Sequence, residues 1–122
     1  MSLRIKKQFP EFDINEYTDE KEITIDGAIT EIKNFDWVNE SLKSSKIIEE
    51  HAEPSIWFKN ELRDIFAISL ADTNKFAIYY SPSGPFKRSS TSVVSGQEQV
   101  ISLIRLFEKQ ERDTFQRQLK LS

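Results

Sequence analysis

Ile65-Phe66-Ala67-Ile68-Ser69-Leu70-Ala71-Asp72-Thr73-Asn74-Lys75-Phe76-Ala77-Ile78-Tyr79-Tyr80 is the stretch on which the fold turns. Two short apolar runs, rich in β-branched and aromatic residues, flank a polar break, the pattern of two strands joined by a tight turn. Asp72-Thr73-Asn74 suits a three-residue loop, a type I turn followed by one residue at positive φ, which Asn tolerates. That loop sets Leu70 opposite Phe76, Ile68 opposite Ile78 and Phe66 opposite Tyr80. Six large side chains then share one face, while Ile65, Ala67, Ser69, Ala77 and Tyr79 occupy the other. Shifting the register by one residue would scatter the large residues over both faces, so pattern and turn chemistry agree.

Outward from this hairpin, Ser55-Ile56-Trp57-Phe58-Lys59 reads as a preceding strand turning at Asn60-Glu61, with either Trp57 or the Ile56/Phe58 pair facing the core. Ser81-Pro82-Ser83-Gly84-Pro85 is a loop, and Thr91-Ser92-Val93-Val94 suits a fourth strand. Ser95 with Glu98 three residues on is a capping-box signature. It introduces a helix whose stripe is Val100, Leu103, Ile104 and Phe107. The stripe is interrupted at Gln110 and Glu111 and resumes at Phe115 and Leu119, with Leu121 close behind. No proline or glycine between Gln97 and Ser122 favours a bend.

On the N-terminal side, Ile23-Thr24-Ile25 and Ala28-Ile29-Thr30 around Asp26-Gly27 admit a hairpin. Asp26 capping a short helix is favoured, because Ala28, Ile29, Ile32 and Phe35 recur at helical spacing. Asp36 caps a second helix from Trp37 towards Ile47 and Ile48. Leu3 to Lys7 suits a short edge strand, stopped by Pro10. Residues 1–21 therefore read as an acidic arm lying on the body through Phe9, Phe12 and Tyr17. The expected architecture is a single α+β domain over residues 1–122. It has a three- to four-stranded antiparallel sheet, short N-terminal helices and a long C-terminal helix packed on one face.

Composition narrows the chemistry. The 122 residues contain no cysteine, which excludes disulfides, a thiol nucleophile and Cys-based metal sites. His51 is the only histidine, so a two-histidine zinc site within one chain is impossible; the cluster Glu49, Glu50, His51 and Glu53 reads as a solvated helix end. Glycines at 27, 84 and 96 are too scattered for a phosphate-cradling loop, and no Gly-x-Ser-x-Gly elbow accompanies a serine. No metal or cofactor is expected, and nothing specific speaks for catalysis. Arg105, Lys109 and Arg112 form a basic stripe on the last helix, but Glu108 and Asp113 at i,i+4 spacing offset it. With a net charge of −3, nucleic acid is not an expected partner.

No apolar run is long enough for a membrane span, and the charged start has no apolar stretch behind it, so a cytoplasmic protein is expected. The acidity is uneven: Glu11, Asp13, Glu16, Asp19, Glu20 and Glu22 are opposed only by Lys21. These features favour a small acidic, non-catalytic protein-interaction domain, of inhibitor or immunity type. The alternative is a small-ligand-binding domain or enzyme with a site near the 81–92 loop. There Lys87, Arg88, Ser89 and Ser90 offer cationic and hydroxyl donors for a phosphate or carboxylate. A structural homo-oligomer without a ligand is the third reading. Phe115 and Leu119, or Tyr79 on the lighter sheet face, form the expected surface for a partner protein or a second copy.

Overall fold

A computed structural model describes residues 2–120. The hairpin lies at its centre as β4 (Ile65–Asp72) and β5 (Lys75–Ser81). Its register is the expected one, with Leu70, Ile68 and Phe66 opposite Phe76, Ile78 and Tyr80. The turn is tighter than a three-residue loop: Asp72 pairs with Lys75 across a bulge between Leu70 and Asp72. Asn74 takes the positive φ of 58°, the position its side chain tolerates. Phe66, Ile68, Phe76, Ile78 and Tyr80 are buried, and Leu70 at the rim is half-buried.

The sheet has six strands rather than three or four. The order is β2-β1-β3-β4-β5-β6, every neighbouring pair antiparallel. The additional members are β1 (Leu3–Gln8) and β2 (Lys21–Ile23). β1 is not an edge strand: it lies between β2 and β3 (Ser55–Lys59), with Leu3 and Ile5 in the core. The expected arm over 1–21 thus shrinks to the connection between β1 and β2. A long connection carries no hairpin signal, so this pairing had no local signature. β6 (Ser90–Ser95) closes the other side. In β3, Ile56 and Phe58 face the core and Trp57 faces away.

The helices pack on the Phe66 face. α1 (Ile25–Asn34) is capped by Thr24, whose hydroxyl accepts from the Gly27 amide at 3.0 Å, so Asp26 lies in its first turn instead of capping it. A Cβ on Gly27 would come within 2.8 Å of the Ile23 side chain, so the crossing from β2 into α1 requires glycine there. α2 (Trp37–Ser45) begins at Asp36 as expected, the carboxylate accepting from the Asn39 amide, but stops short of Ile47. α3 (Gln97–Glu108) starts one residue later than a Ser95 cap would place it. Gly96 is the boundary, and Gln99 Oε1 reaches back to accept from the Ser95 amide at 3.0 Å.

The long C-terminal helix is two helices, α3 and α4 (Arg112–Lys120). Gln110 adopts φ 64°; its amide donates to the Phe107 carbonyl and the Glu111 amide to that of Leu106. This is a Schellman ending made without glycine. The chain reverses there, and Phe115 and Leu119 join the core; Leu121 lies outside the described residues.

Ile68 is fully buried on the central strand and its neighbours are held by strand pairing, so the site collapses poorly. Ile68→Ala should lower the unfolding free energy by about 2–5 kcal/mol, measured by urea denaturation with an unchanged m-value.

Candidate functional site

With the helices on one side, the other sheet face is only partly covered. The segment between β1 and β2 folds over its β1–β3 end. Gln8 Nε2 donates to the carbonyls of Ile14 and Glu16 at 2.9 and 3.1 Å, and the Lys7 amide donates to Thr18 Oγ1 at 2.8 Å. Tyr17 stands edge-on to Trp57 with centroids 5.7 Å apart, and Lys6 Nζ lies 3.9 Å above the Tyr17 ring. The chain after α2 forms the remaining wall. Between these walls is an open cleft of about 380 Å³. Its floor is Trp57, Ala67, Ser69, Ala77 and Tyr79; Ile14, Tyr17, His51 and Glu53 rise around it.

Gln8, Ser55, Trp57 and His51 of this cleft are engaged within the chain. The Trp57 indole donates to Ser55 Oγ at 2.9 Å, and Ser55 Oγ lies 3.3 Å from Gln8 Oε1. His51 Nδ1 is 2.9 Å from the Glu49 carbonyl, which only accepts, so Nδ1 carries a proton, and Nε2 shares a hydrogen bond with the Ser44 hydroxyl at 2.8 Å. A serine hydrogen-bonded to an oriented histidine is the first requirement of a nucleophilic pair. Here the orienting group is a carbonyl instead of a carboxylate. The nearby amides of Lys46 and Ile47 are spent on the carbonyls of Lys43 and Ser44. The pair fastens the end of α2 to the following loop. Among the described residues, no group of three or more His, Asp or Glu is arranged to hold a metal ion.

The residues singled out near the 81–92 loop do not converge. Ser89 Oγ donates to Ser81 Oγ at 2.9 Å and receives the Tyr79 hydroxyl at 3.1 Å. Ser90, opposite Tyr80, begins β6 on the helix side of the sheet. Lys87 and Arg88 stand exposed. Tyr79 lies on the open face as expected, its ring 5.8 Å from that of Trp57. Phe115 and Leu119 are no surface at all: 1% and 4% exposed, they are interior to the chain.

Sequence reasoning missed a buried ionic cluster. Asp64, 1% exposed, receives Arg112 Nε and Nη2 at 2.9 and 2.7 Å, the Ser83 amide at 2.8 Å and the Tyr80 hydroxyl at 3.2 Å. Arg112 had an apparent partner in Glu108 on a continuous helix; the reversal at Gln110 sends it to a carboxylate 48 residues away. Burial opposes ionisation of Asp64, yet the hydrogen bonds from Arg112 and Ser83, with the guanidinium charge, hold its carboxyl below the ordinary 3.8. Burial and the Asp64 charge push the Tyr80 hydroxyl well above its usual range. These perturbations belong to a fastening: the cluster joins the start of β4, the loop after β5 and the first turn of α4.

No protein-family model matches the chain, and neither a curated protein nor a solved structure matches it. The fold is a two-layer α+β arrangement, helices on one face of a six-stranded antiparallel sheet and a partly walled cleft on the other. No helix among the described residues is long and apolar enough to cross a membrane.

Asp64→Asn should cost about 2–3 kcal/mol, less than a fully buried pair because Arg112 keeps partial contact with water. The folded pKa of Asp64 is depressed, so the stabilisation is complete above roughly pH 4 and is lost as pH falls from there through the lower folded value. Urea midpoints between pH 7 and pH 2 should show a smaller acid loss in Asp64→Asn than in the parent.

Proposed function

We propose that this chain is a non-catalytic protein-interaction domain, of inhibitor or immunity type, that masks a basic surface on a partner protein. One observation carries the reading: two acidic runs far apart in sequence lie side by side in the fold. The Ala52 amide donates to the Phe12 carbonyl at 3.0 Å, and Glu11 Oε1 is 4.0 Å from Lys43 on α2. Ile14 and Glu53 wall the same cleft. Glu11, Asp13 and Glu16 therefore share one side of the molecule with Glu49, Glu50 and Glu53, all exposed. Ile14 stands within the first run, and Ile48, 98% exposed, immediately precedes the second. Apolar contacts rimmed mainly by acidic groups, with Lys43 and Lys46 the nearby cations, suit a partner of basic surface: charge steers the encounter and the apolar groups hold the complex.

The cleft supports a second reading. Its volume lies at the lower end of the range for small-molecule sites, and its floor is apolar and aromatic. Gln8, Ser55 and Trp57 already bond one another across its inner end, which favours the protein-interaction reading.

The triple variant Glu49→Lys, Glu50→Lys, Glu53→Lys tests the proposal, since all three side chains are exposed. The parent should retain from its source extract a partner with a basic surface. Binding should weaken with salt, and the variant, folded by circular dichroism, should bind at least roughly tenfold more weakly. Equal binding by both proteins, or a bound partner with no basic surface, would refute the reading.

A further inference from the structure

The two edges of the sheet are built differently. β2 spans three residues, Lys21-Glu22-Ile23, two of them charged; short, charged edges resist pairing with another strand. β6 spans six, Ser90-Thr91-Ser92-Val93-Val94-Ser95, with neither a charge nor a proline. Its free side can be assigned from the ladder. The Gly96 amide donates to the Asn74 carbonyl at 2.6 Å next to the Lys75/Ser95 pair. Lys75/Ser95 is therefore a pair without mutual hydrogen bonds, and Val94, Ser92 and Ser90 bond β5. Thr91, Val93 and Ser95 turn their N–H and C=O groups outward. Gln99 already accepts from the Ser95 amide, which leaves Thr91 and Val93 with both groups available. Their side chains lie on the open sheet face, where Val93 is 49% exposed beside Ala77.

The geometry points to β6 as a docking edge for β6 of a second copy of this chain, the two sheets joining antiparallel about a two-fold axis. With Thr91 of one copy opposite Val93 of the other, each such pair exchanges two N–H···O bonds, all from groups not used in the β5–β6 ladder. Charge selects a second copy as the occupant. Antiparallel pairing brings the residues preceding β6 in one copy, Lys87 and Arg88, beside those following it in the other, where Glu98 opens α3. Arg88 and Glu98 are exposed, and neither has an ion-pair partner among the described residues. The two-fold axis makes that contact twice, as an isologous interface requires. Phe86, fully exposed at φ 64° just before this segment, adds apolar surface at the same seam.

Sedimentation equilibrium of the full chain over a wide concentration range tests the proposal. Proline at 93 removes only an outward amide, so Val93→Pro keeps the β5–β6 ladder while disrupting the new one. The parent should show a concentration-dependent dimer, and Val93→Pro should be a folded monomer. Arg88→Glu should raise the dimer dissociation constant roughly tenfold, and Arg88→Glu with Glu98→Arg should restore it. The charge variants keep the test decisive if the proline variant unfolds, because both positions are exposed. A parent monomeric at millimolar concentration, a dimer indifferent to Arg88→Glu, or failure of the charge swap to restore it would overturn the assignment. A monomer that instead binds an extended peptide of another protein along β6 would also overturn it.

Discussion

Phe66 and Tyr80 face each other across the central hairpin, and the closure of the core depends on what covers them. Phe115 does so, its ring 4.5 Å from Tyr80 and 5.6 Å from Phe66, with Phe107 completing the cluster at 5.3 Å from Phe66. Reaching that position obliges the chain to reverse after α3, with Gln110 in a left-handed conformation that costs about 1–2 kcal/mol for a residue other than glycine. Burying Phe115 and Leu119 returns roughly 1.5–3 kcal/mol each, so the reversal is favoured over a helix that continues into water. Arg112 then meets Asp64 at the rim of the same cluster. A charge pair at the edge and aromatic packing within hold one junction, which makes α4 part of the core.

Because every helix is drawn to that aromatic face, the opposite face has to be managed with loops. The segment between β1 and β2 and the segment after α2 cover one end of it, fastened through Gln8, Thr18, Ser44 and His51. Those fastenings engage Gln8, Thr18, Ser44 and His51 within the chain. They also carry two acidic runs to a common side of the molecule and leave a shallow aromatic cleft between the walls. At the far end no segment among the described residues crosses over, and β6 keeps an uncharged edge next to exposed Val93. The surfaces proposed for recognition, acidic side and open edge, are thus two consequences of one-sided packing.

Much of the local structure was legible. The register of β4 against β5 follows from alternating side chains and an Asn suited to positive φ. The stripe Val100, Leu103, Ile104 and Phe107 marks α3, and Asp36 marks the start of α2. Where the reading moved by a residue or two, neighbouring groups competed for the same role, as Thr24 did with Asp26 and Gly96 with Ser95. The larger departures lay elsewhere. β1 and β2 are separated by a long connection whose turns, over residues 9–12 and 13–16, announce no hairpin, and the break at Gln110 occurs where neither glycine nor proline announces one.

For the candidate site the balance is reversed. The acidic runs, His51, Tyr79 and the 81–92 loop were visible as residues, but their grouping was not: Ser89 and Ser90 part to opposite faces, and Phe115 disappears into the core. By itself the sequence determined what depends on residues within a few positions of one another: strand alternation, helix stripes, caps and the central turn. Only the tertiary structure decided which strands neighbour β1, which carboxylate meets Arg112 and which acidic runs share a side. Those outcomes depend on closing the chain over tens of residues, where the burial of one aromatic cluster outweighs any local preference.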